Sequence, residues 1–344
     1  IAENNRFGSS RINVNFVGTP AATAFGEVLR QAGVEHFAEE PHVWQNVDPV
    51  TLELEDATVF EAAAALARQT DRHIRADDAG GVMVSRHDYS SLGDFGSGRV
   101  VYVGPVAVRP EAASLTRSVH YETGASHDAL SLNLQTMVEP KLRLAEGGQI
   151  RLLKAVDEKG QNLLSPKDRN SHTHRHHGML QLTTRLEQPP GRGTKIAELA
   201  GEVLLNVEIA SERRELPAGE VDGSTSQIGG LKLVIESLAV NGTSATLKGE
   251  LQRAGADDAA WQTRFNSTNQ SIRLLDAKGN NWFQAGSNTR GSNDTITFEI
   301  RFAAHSHRRE DNPGEPATLV WELTTATKEL VLPFTLTDLK LPPQ

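Results

Sequence analysis

Two stretches of this chain are copies of one another, and that repeat limits its possible folds more than any other feature. LKAVDEKGQNLL at 153–164 aligns without gaps with IRLLDAKGNNWF at 272–283. Asp157, Lys159, Gly160 and Asn162 recur as Asp276, Lys278, Gly279 and Asn281. Each copy reads as a strand, a D-x-K-G turn and a returning strand. Asp supports the tight turn, and Gly accepts the positive φ that the turn requires. The neighbourhood repeats too. Leu180, Leu182, Thr184 and Leu186 match Ile296, Phe298, Ile300 and Phe302 in alternation with polar residues. ALSLNLQTMVEP is placed like SATLKGELQR, and EVLLNVEI at 202–209 parallels ELVLPFTL at 329–336. Short alternating strands separated by turn signals predict two related β-sandwiches, at 99–213 and 229–344. The Gly-, Ser- and acid-rich stretch over 214–230 reads as the linker between them.

The first ninety residues have a different rhythm. Ile12, Val14 and Phe16 alternate as in a strand, and Thr19-Pro20 then opens a helix that Gly33 ends. Phe25, Val28, Leu29 and Ala32 fall on one face of that helix. Val50, Leu52 and Leu54 form a second strand. TVFE at 58–61 is a capping box, with Thr58 at the N-cap and Glu61 three residues on. Val59, Ala62, Ala63, Leu66 and Ala67 make the apolar stripe of this second helix, and the run from Gly81 to Val84 closes the pattern. The predicted order is β-α-β-β-α-β with both helices on one face of a sheet.

VNFVGTPAATAFGEVLRQAGV followed by VTLELEDATVFEAAAALARQTDRHIRADDAGGVMVS resembles the short N-terminal domain of secretins and TonB-dependent transducers. Val50-Thr51-Leu52-Glu53-Leu54 and Glu61-Ala62-Ala63 carry the likeness, which covers residues 11–86. The resemblance implies an extracytoplasmic setting and a module that docks on proteins rather than an enzyme. Beyond residue 90 no secretin or barrel pattern follows, so gating and signalling do not carry over. The expected fold is therefore an α+β N-terminal domain of order βαββαβ over 11–90, followed by two tandem all-β, immunoglobulin-like sandwiches. Residues 1–10 form an N-terminal arm.

Composition sets the remaining limits. The 344 residues carry a net charge of −9 without an acidic or basic block. Nucleic-acid binding is not expected, because phosphate backbones demand a clustered basic surface. No cysteine is present, which removes thiol catalysis, disulfides and cysteine-ligated metal. No apolar run is long enough to span a membrane as a helix. The chain opens on Ile1, and the expectation is that a secretion signal has been removed.

SHTHRHHG at 171–178 holds four of the twelve histidines, between two strands of the first copy. Two side chains two residues apart share a face if the segment is extended, so His172, His174 and His176 are candidate ligands for Zn, Ni or Cu. Arg169 and Arg175 lie close by and Asp168 is the local carboxylate, which argues for a solvated loop instead. The matching stretch of the second copy, QAGSNTRGSND, has no histidine, so the fold itself does not need these residues. His305 and His307 sit in a mixed-charge segment that reads as a surface loop. No G-x-S-x-G, H-E-x-x-H, P-loop or dinucleotide fingerprint is present. Glu39-Glu40 and Asp77-Asp78 lack calcium-loop spacing. Trp282 and Trp321 lie within strand patterns and read as core, whereas Trp44 in PHVWQNVDP is the loop aromatic best placed to meet a ligand. The expected role is a non-enzymatic envelope or surface protein that acts by contact with other envelope proteins or with itself, without a cofactor. The alternative is a ligand-binding module for carbohydrate or a transition metal.

Overall fold

The computed structural model describes residues 7–34, 37–39, 42–76, 82–86, 91–96, 99–145, 148–164, 172–176, 179–255, 261, 271–291, 294–304 and 313–343. The protein is mostly β. Among the described residues there are two α-helices and several separate sheets. The chain divides into two compact units, one of Ile1–Val207 with Lys328–Gln344, the other of Glu208–Thr327. This overturns the expected series of an α+β domain followed by two tandem immunoglobulin-like sandwiches. The second unit is inserted in the first, because the last seventeen residues belong to the unit in which the chain begins. Phe334, Leu336, Leu339 and Leu341 bury themselves there with Leu199, Val203 and Val207.

In the first unit, β1 (Arg11–Thr19) points Ile12, Val14 and Phe16 inward, and α1 (Ala21–Gln31) follows. Pro20, not Thr19, stands at the N-cap, and its carbonyl accepts the first helical bond from Ala24. A two-residue strand, β2 (Ala38–Glu39), precedes β3 (Val50–Thr58) and α2 (Val59–Thr70). The capping box of α2 forms as the sequence implies. Thr58 Oγ1 accepts from the Glu61 N–H at 3.2 Å, and Glu61 Oε2 accepts from the Thr58 N–H at 2.8 Å. Each helix is tied to the strand before it by a glutamine near its end. Gln31 accepts from the Asn13 N–H and donates to the Asn13 carbonyl, and Gln69 does the same to Thr51. The two β-α steps are thus built alike.

They do not share one four-stranded sheet. Among the described residues β1 pairs only with β3, while β4 (His73–Ala76) and β5 (Val82–Ser85) form a separate three-stranded sheet with β2. Nor do they form an independent domain, since α1 and α2 share one hydrophobic core with Ala107, Met137 and Met179 of the following β region. The ring of Phe60 stacks on Tyr102 at 5.9 Å and tilts against Phe95 at 6.3 Å. Residues 8–10 of the N-terminal arm are likewise anchored. The buried carboxylate of Glu139 accepts from the Ser10 N–H and hydroxyl and pairs with Lys141 at 3.2 Å, and Lys141 donates to the Gly8 carbonyl.

The β region begins with β6 (Val101–Val103), β7 (Val106–Val119), β8 (Ser126–Val138) and β9 (Gln149–Asp157), then β10 (His172–His176) and β11 (Met179–Leu186). Two long strands, β12 (Lys195–Pro217) and β19 (Pro316–Lys340), each contribute residues to both units. In the first unit, a five-stranded antiparallel sheet of order β10-β11-β8-β7-β6 buries Leu132, Leu134, Leu180 and Leu182 together with Ile150, Leu199 and Leu205 of β9 and β12.

The second unit adds β13 (Thr225–Ile228), β14 (Leu231–Asn241), β15 (Ser244–Arg253), β16 (Ile272–Asp276), β17 (Phe283–Gly291) and β18 (Thr295–Ala303). Its five-stranded sheet runs β13-β14-β15-β18-β17, the same order strand for strand. Trp321, Trp282 and Trp261 are all buried in its core with Leu247, Ile296 and Ile300.

Two further expectations fail here. The stretch read as a linker is part of the second unit. Strand β12 runs on to Pro217, Val221 and Ile228 are buried, and β13 joins the sheet. Two apolar residues among many Gly and Ser were enough to fix it. The likeness of 202–209 to 329–336 is not the true repeat either, because both belong chiefly to the first unit. The strand equivalent to Ile196–Leu204, which pairs with β9, is the start of β19, which pairs with β16 through Ile272↔Trp321 and Leu274↔Leu319. Alternating strands of similar composition are interchangeable in sequence, and only pairing separates them.

Candidate functional site

The repeated turns hold the most perturbed carboxylates outside the exposed ion pairs. Asp157 is 2% exposed and Asp276 5%. Asp157 Oδ1 accepts from the N–H groups of Lys159 at 2.9 Å and Gln161 at 2.8 Å, and Oδ2 accepts from Gly193 at 2.6 Å. Asp276 is matched atom for atom by Lys278 and Asn280, each at 2.8 Å, and by Gly314 at 2.8 Å, with the Asn280 amide added. Both turns close through the same backbone bonds, Gly160 to Asp157 and Gly279 to Asp276 at 3.0 Å, with glycine φ of 80° and 84°. Burial alone would raise both carboxyls. The donated N–H groups outweigh it and hold Asp157 below the usual range and Asp276 down to about 2. Next door, the N–H of Thr194 and its own N–H lower Glu158 to about 2. A Cβ on Gly193 would overlap the Glu158 carboxylate and displace it from its present bonds. Shifted acids of this kind can mark catalysis. Here every donor to Asp157 and Asp276 is backbone or Asn280, and these two carboxylates clasp a turn to a loop some 36 to 38 residues further along the chain.

Trp44 is not an open platform. Its ring lies 5.2 Å from Phe25 at the edge of the N-terminal core, and its indole N–H donates to Glu39 at 2.8 Å. Arg72, buried beneath, donates to the carbonyls of Val43, Gln45 and Asp71 and so fixes the whole 43–45 turn. Among the described residues no three His, Asp or Glu side chains gather as a preformed metal cluster. His177, His305, His307, Glu40, Asp77, Asp78, Asp168 and Arg169 lie outside the described residues.

His172, His174 and His176 fall in a strand rather than a loop. β10 is the terminal strand of its sheet, paired antiparallel with β11 in the register His172↔Thr183, His174↔Gln181 and His176↔Met179. The intervening positions, Thr173 and Arg175, are opposite the buried Leu182 and Leu180. The counterpart in the second unit, β17, is also a terminal strand. Farther across the sheet, Gln181 Nε2 donates to Glu111 Oε2 at 2.9 Å, and Arg109 donates twice to Gln135 while lying 4.5 Å from the Phe95 ring.

The feature that sequence reading missed is the hairpin of β7 and β8. Its turn closes by bonds from His120 to Ala125 and from Gly124 to His120. Strand β11 accompanies β8 only from Leu130 to Met137, and β6 accompanies β7 only from Val106 to Val108. From Glu111 to Ser126 no side chain is buried. Val119 is 51% exposed and Tyr121, at the tip, is 99% exposed. The signal was the length of the alternating run from 106 to 119, which exceeds what the neighbouring strands can cover.

No known family matches the sequence, and no curated protein does so either. Among solved structures, a conserved domain protein from Bacillus anthracis is similar over 69% of this chain and 89% of its own, at 9% identity and a TM-score of 0.20. No helix among the described residues is long and apolar enough to cross a membrane.

Proposed function

We propose that this is a non-enzymatic extracytoplasmic protein that acts by protein–protein contact, with the β7–β8 hairpin as its contact element and a second copy as its partner. The extracytoplasmic setting rests on the resemblance of residues 11–86 to the secretin-type short domain. The contact role rests on one observation: the hairpin runs past both neighbouring strands and ends on exposed Val119 and Tyr121. From Arg109 to Arg117 the side of β7 away from β8 carries no paired strand among the described strands. An edge of this kind takes up another extended segment through main-chain hydrogen bonds, and an exposed aromatic at the tip supplies an anchor. The same edge on another copy is a ready complement. The buried Asp157 and Asp276 are consistent with this reading, since their charge is spent on holding turns.

The test is sedimentation velocity on the full chain across a wide concentration range. The proposal expects mass to rise with concentration and to remain monomeric when Val119 and Tyr121 are both replaced by Ser. Val240→Ser, on the exposed part of the equivalent hairpin, serves as control and leaves association unchanged. A wild-type chain that stays monomeric throughout, or a double variant that associates equally well, refutes it.

A further inference from the structure

We propose that two copies of this chain join through the free edge of β7, antiparallel about a two-fold axis at Thr116, so that Ala113 to Val119 of each copy add a strand to the other's sheet. This pairing rests on the contact role proposed above and fixes its register. The backbone parity of the hairpin carries it. The His120 N–H donates to the Ala125 carbonyl at 2.8 Å, which makes that pair a hydrogen-bonded one. Bonded and non-bonded pairs alternate along an antiparallel ladder. In the unbroken register from Ala112↔Asn133 to Val119↔Ser126, the bonded pairs are therefore those of Ala112, Ser114, Thr116 and Ser118. The N–H and C=O groups of Ala113, Leu115, Arg117 and Val119 point away from β8. Among the described strands, none pairs with β7 on that side beyond Val108.

This edge has a defined start. The Glu139 N–H donates to the Pro105 carbonyl at 2.8 Å, so by the same alternation Val106, Val108 and Pro110 face outward, the first two toward β6. Pro110 offers no N–H there, and the bulge that follows it resets the parity. A strand laid on the edge therefore begins at Ala113. In the second unit the corresponding edge of β14 is taken up from within. The Ile235 N–H donates to the Ser224 carbonyl at 2.9 Å, and the Leu238 N–H donates to Asp222 Oδ1 at 2.6 Å.

Self-complementarity points to a second copy as the occupant and selects the axis. Rotation about Thr116 sets Ala113 against Val119 and Leu115 against Arg117, so every outward-facing residue is bonded. Axes nearer Ala113 set Val119 against the bulge or beyond it. An axis at Arg117 opposes two guanidinium groups and leaves Ala113 unpaired. About Thr116 no like charges are directly opposed, Thr116 meets Thr116, and Ser114 meets Ser118, pairings that suit opposed hydroxyl side chains. Arg117 is the only charge between Ala113 and Val119. It is neutralised by Asp128 through bonds of 2.7 and 2.6 Å, so two chains of net charge −9 meet along a nearly neutral edge. Ala113 and Leu115 pack against the core of the unit. In this register the exposed Val119 of one copy lies beside Ala113 of the other and extends that apolar row.

The chain has no cysteine, so disulfide trapping reads the register directly. Thr116→Cys, Ser114→Cys and Ser118→Cys are made singly in the full chain, checked for folding by circular dichroism, oxidised with diamide and read by non-reducing electrophoresis. Thr116→Cys is expected to convert to a covalent dimer by itself. Ser114→Cys or Ser118→Cys alone forms none, because identical residues then lie about 13 Å apart, beyond the reach of a disulfide. An equimolar mixture of those two variants yields the covalent heterodimer. Thr116→Lys, which opposes two cations at the axis, leaves the chain monomeric in sedimentation. If the wild type associates but Thr116→Cys fails to link, or Ser114→Cys or Ser118→Cys links to itself as readily, the register is overturned while the contact role stands. A wild type that stays monomeric overturns both.

Discussion

The two five-stranded sheets are the same construction with different outer parts. Both run their strands in one order, and both close on an Asp turn clasped to a downstream glycine N–H. They differ at two places. In the second unit, β18 accompanies β15 from Gln252 to Ser244, up to the two-residue turn at Gly242-Thr243, so this strand of the hairpin is covered to its end, although β13 accompanies β14 only from Leu231 to Val234. In the first unit, β8 continues past its neighbour and the hairpin stands clear. The terminal strand also differs, FQAGSNTRG in one unit and HTHRH in the other. What the copies share is what the fold requires. Where they part, the first unit has the hairpin that outruns β11 and the terminal strand that carries histidines.

If the shared clasp is structural, breaking it must cost stability in either unit. Asp276→Ala and Asp157→Ala each leave several buried N–H groups without an acceptor, and a loss of about 3 kcal/mol is expected, read by urea unfolding. Trp282, whose indole donates to the Gly314 carbonyl at 3.0 Å, gives a fluorescence reporter beside the Asp276 clasp. Unequal costs would show that the two turns have diverged in role. Gly193→Ala pushes the Glu158 carboxylate off the N–H groups of Thr194 and Lys195, and because Glu158 is exposed and its side chain can swing aside, only a small loss of stability is expected.

Acid should reveal the same clasp without mutation. Asp276 has a folded value of about 2, below its unfolded value, so the native state binds fewer protons there. Its contribution is complete above about pH 4 and is lost as pH falls toward 2. Chemical denaturation between pH 5 and pH 2 should show Asp276→Asn losing stability less steeply than the wild type. Thr58→Ala removes the capping-box acceptor of α2 and costs about 1 kcal/mol. The smallest effect is expected at the hairpin tip. Val119→Ser with Tyr121→Ser should change stability by less than about 0.5 kcal/mol while abolishing association. A large stability loss there would mean that the tip is packed, and the contrast between the two hairpins would fall.

Local chemistry was legible in advance. The D-x-K-G turns, the capping box at Thr58, the inward Ile12, Val14 and Phe16, and the buried Trp282 and Trp321 all follow from neighbours within a few residues. The domain plan was not. Residues 202–209 and 329–336 looked like repeats because both alternate in the same way, yet they serve one unit. Val221 and Ile228 were hidden in a Gly- and Ser-rich stretch, although burying them turns it from linker into core. Trp44 looked exposed because its covering partners, Phe25 and Glu39, are set by a helix and a strand on either side of a turn. The histidines show both limits. Their two-residue spacing was visible, but whether the segment was extended depended on its pairing with a strand from elsewhere.

The sequence by itself determined the turns, caps and inward faces, because these depend on the backbone preferences and hydrogen-bonding reach of adjacent residues. It also determined that a turn had been duplicated. Tertiary structure alone decided that the second unit is inserted into the first, that one hairpin outruns its sheet, and that Glu111 lies within a hydrogen bond of Gln181. Those outcomes turn on which of several equally alternating strands pair. Pairing energy is collected between residues far apart in the chain, where local pattern carries no information about register or partner.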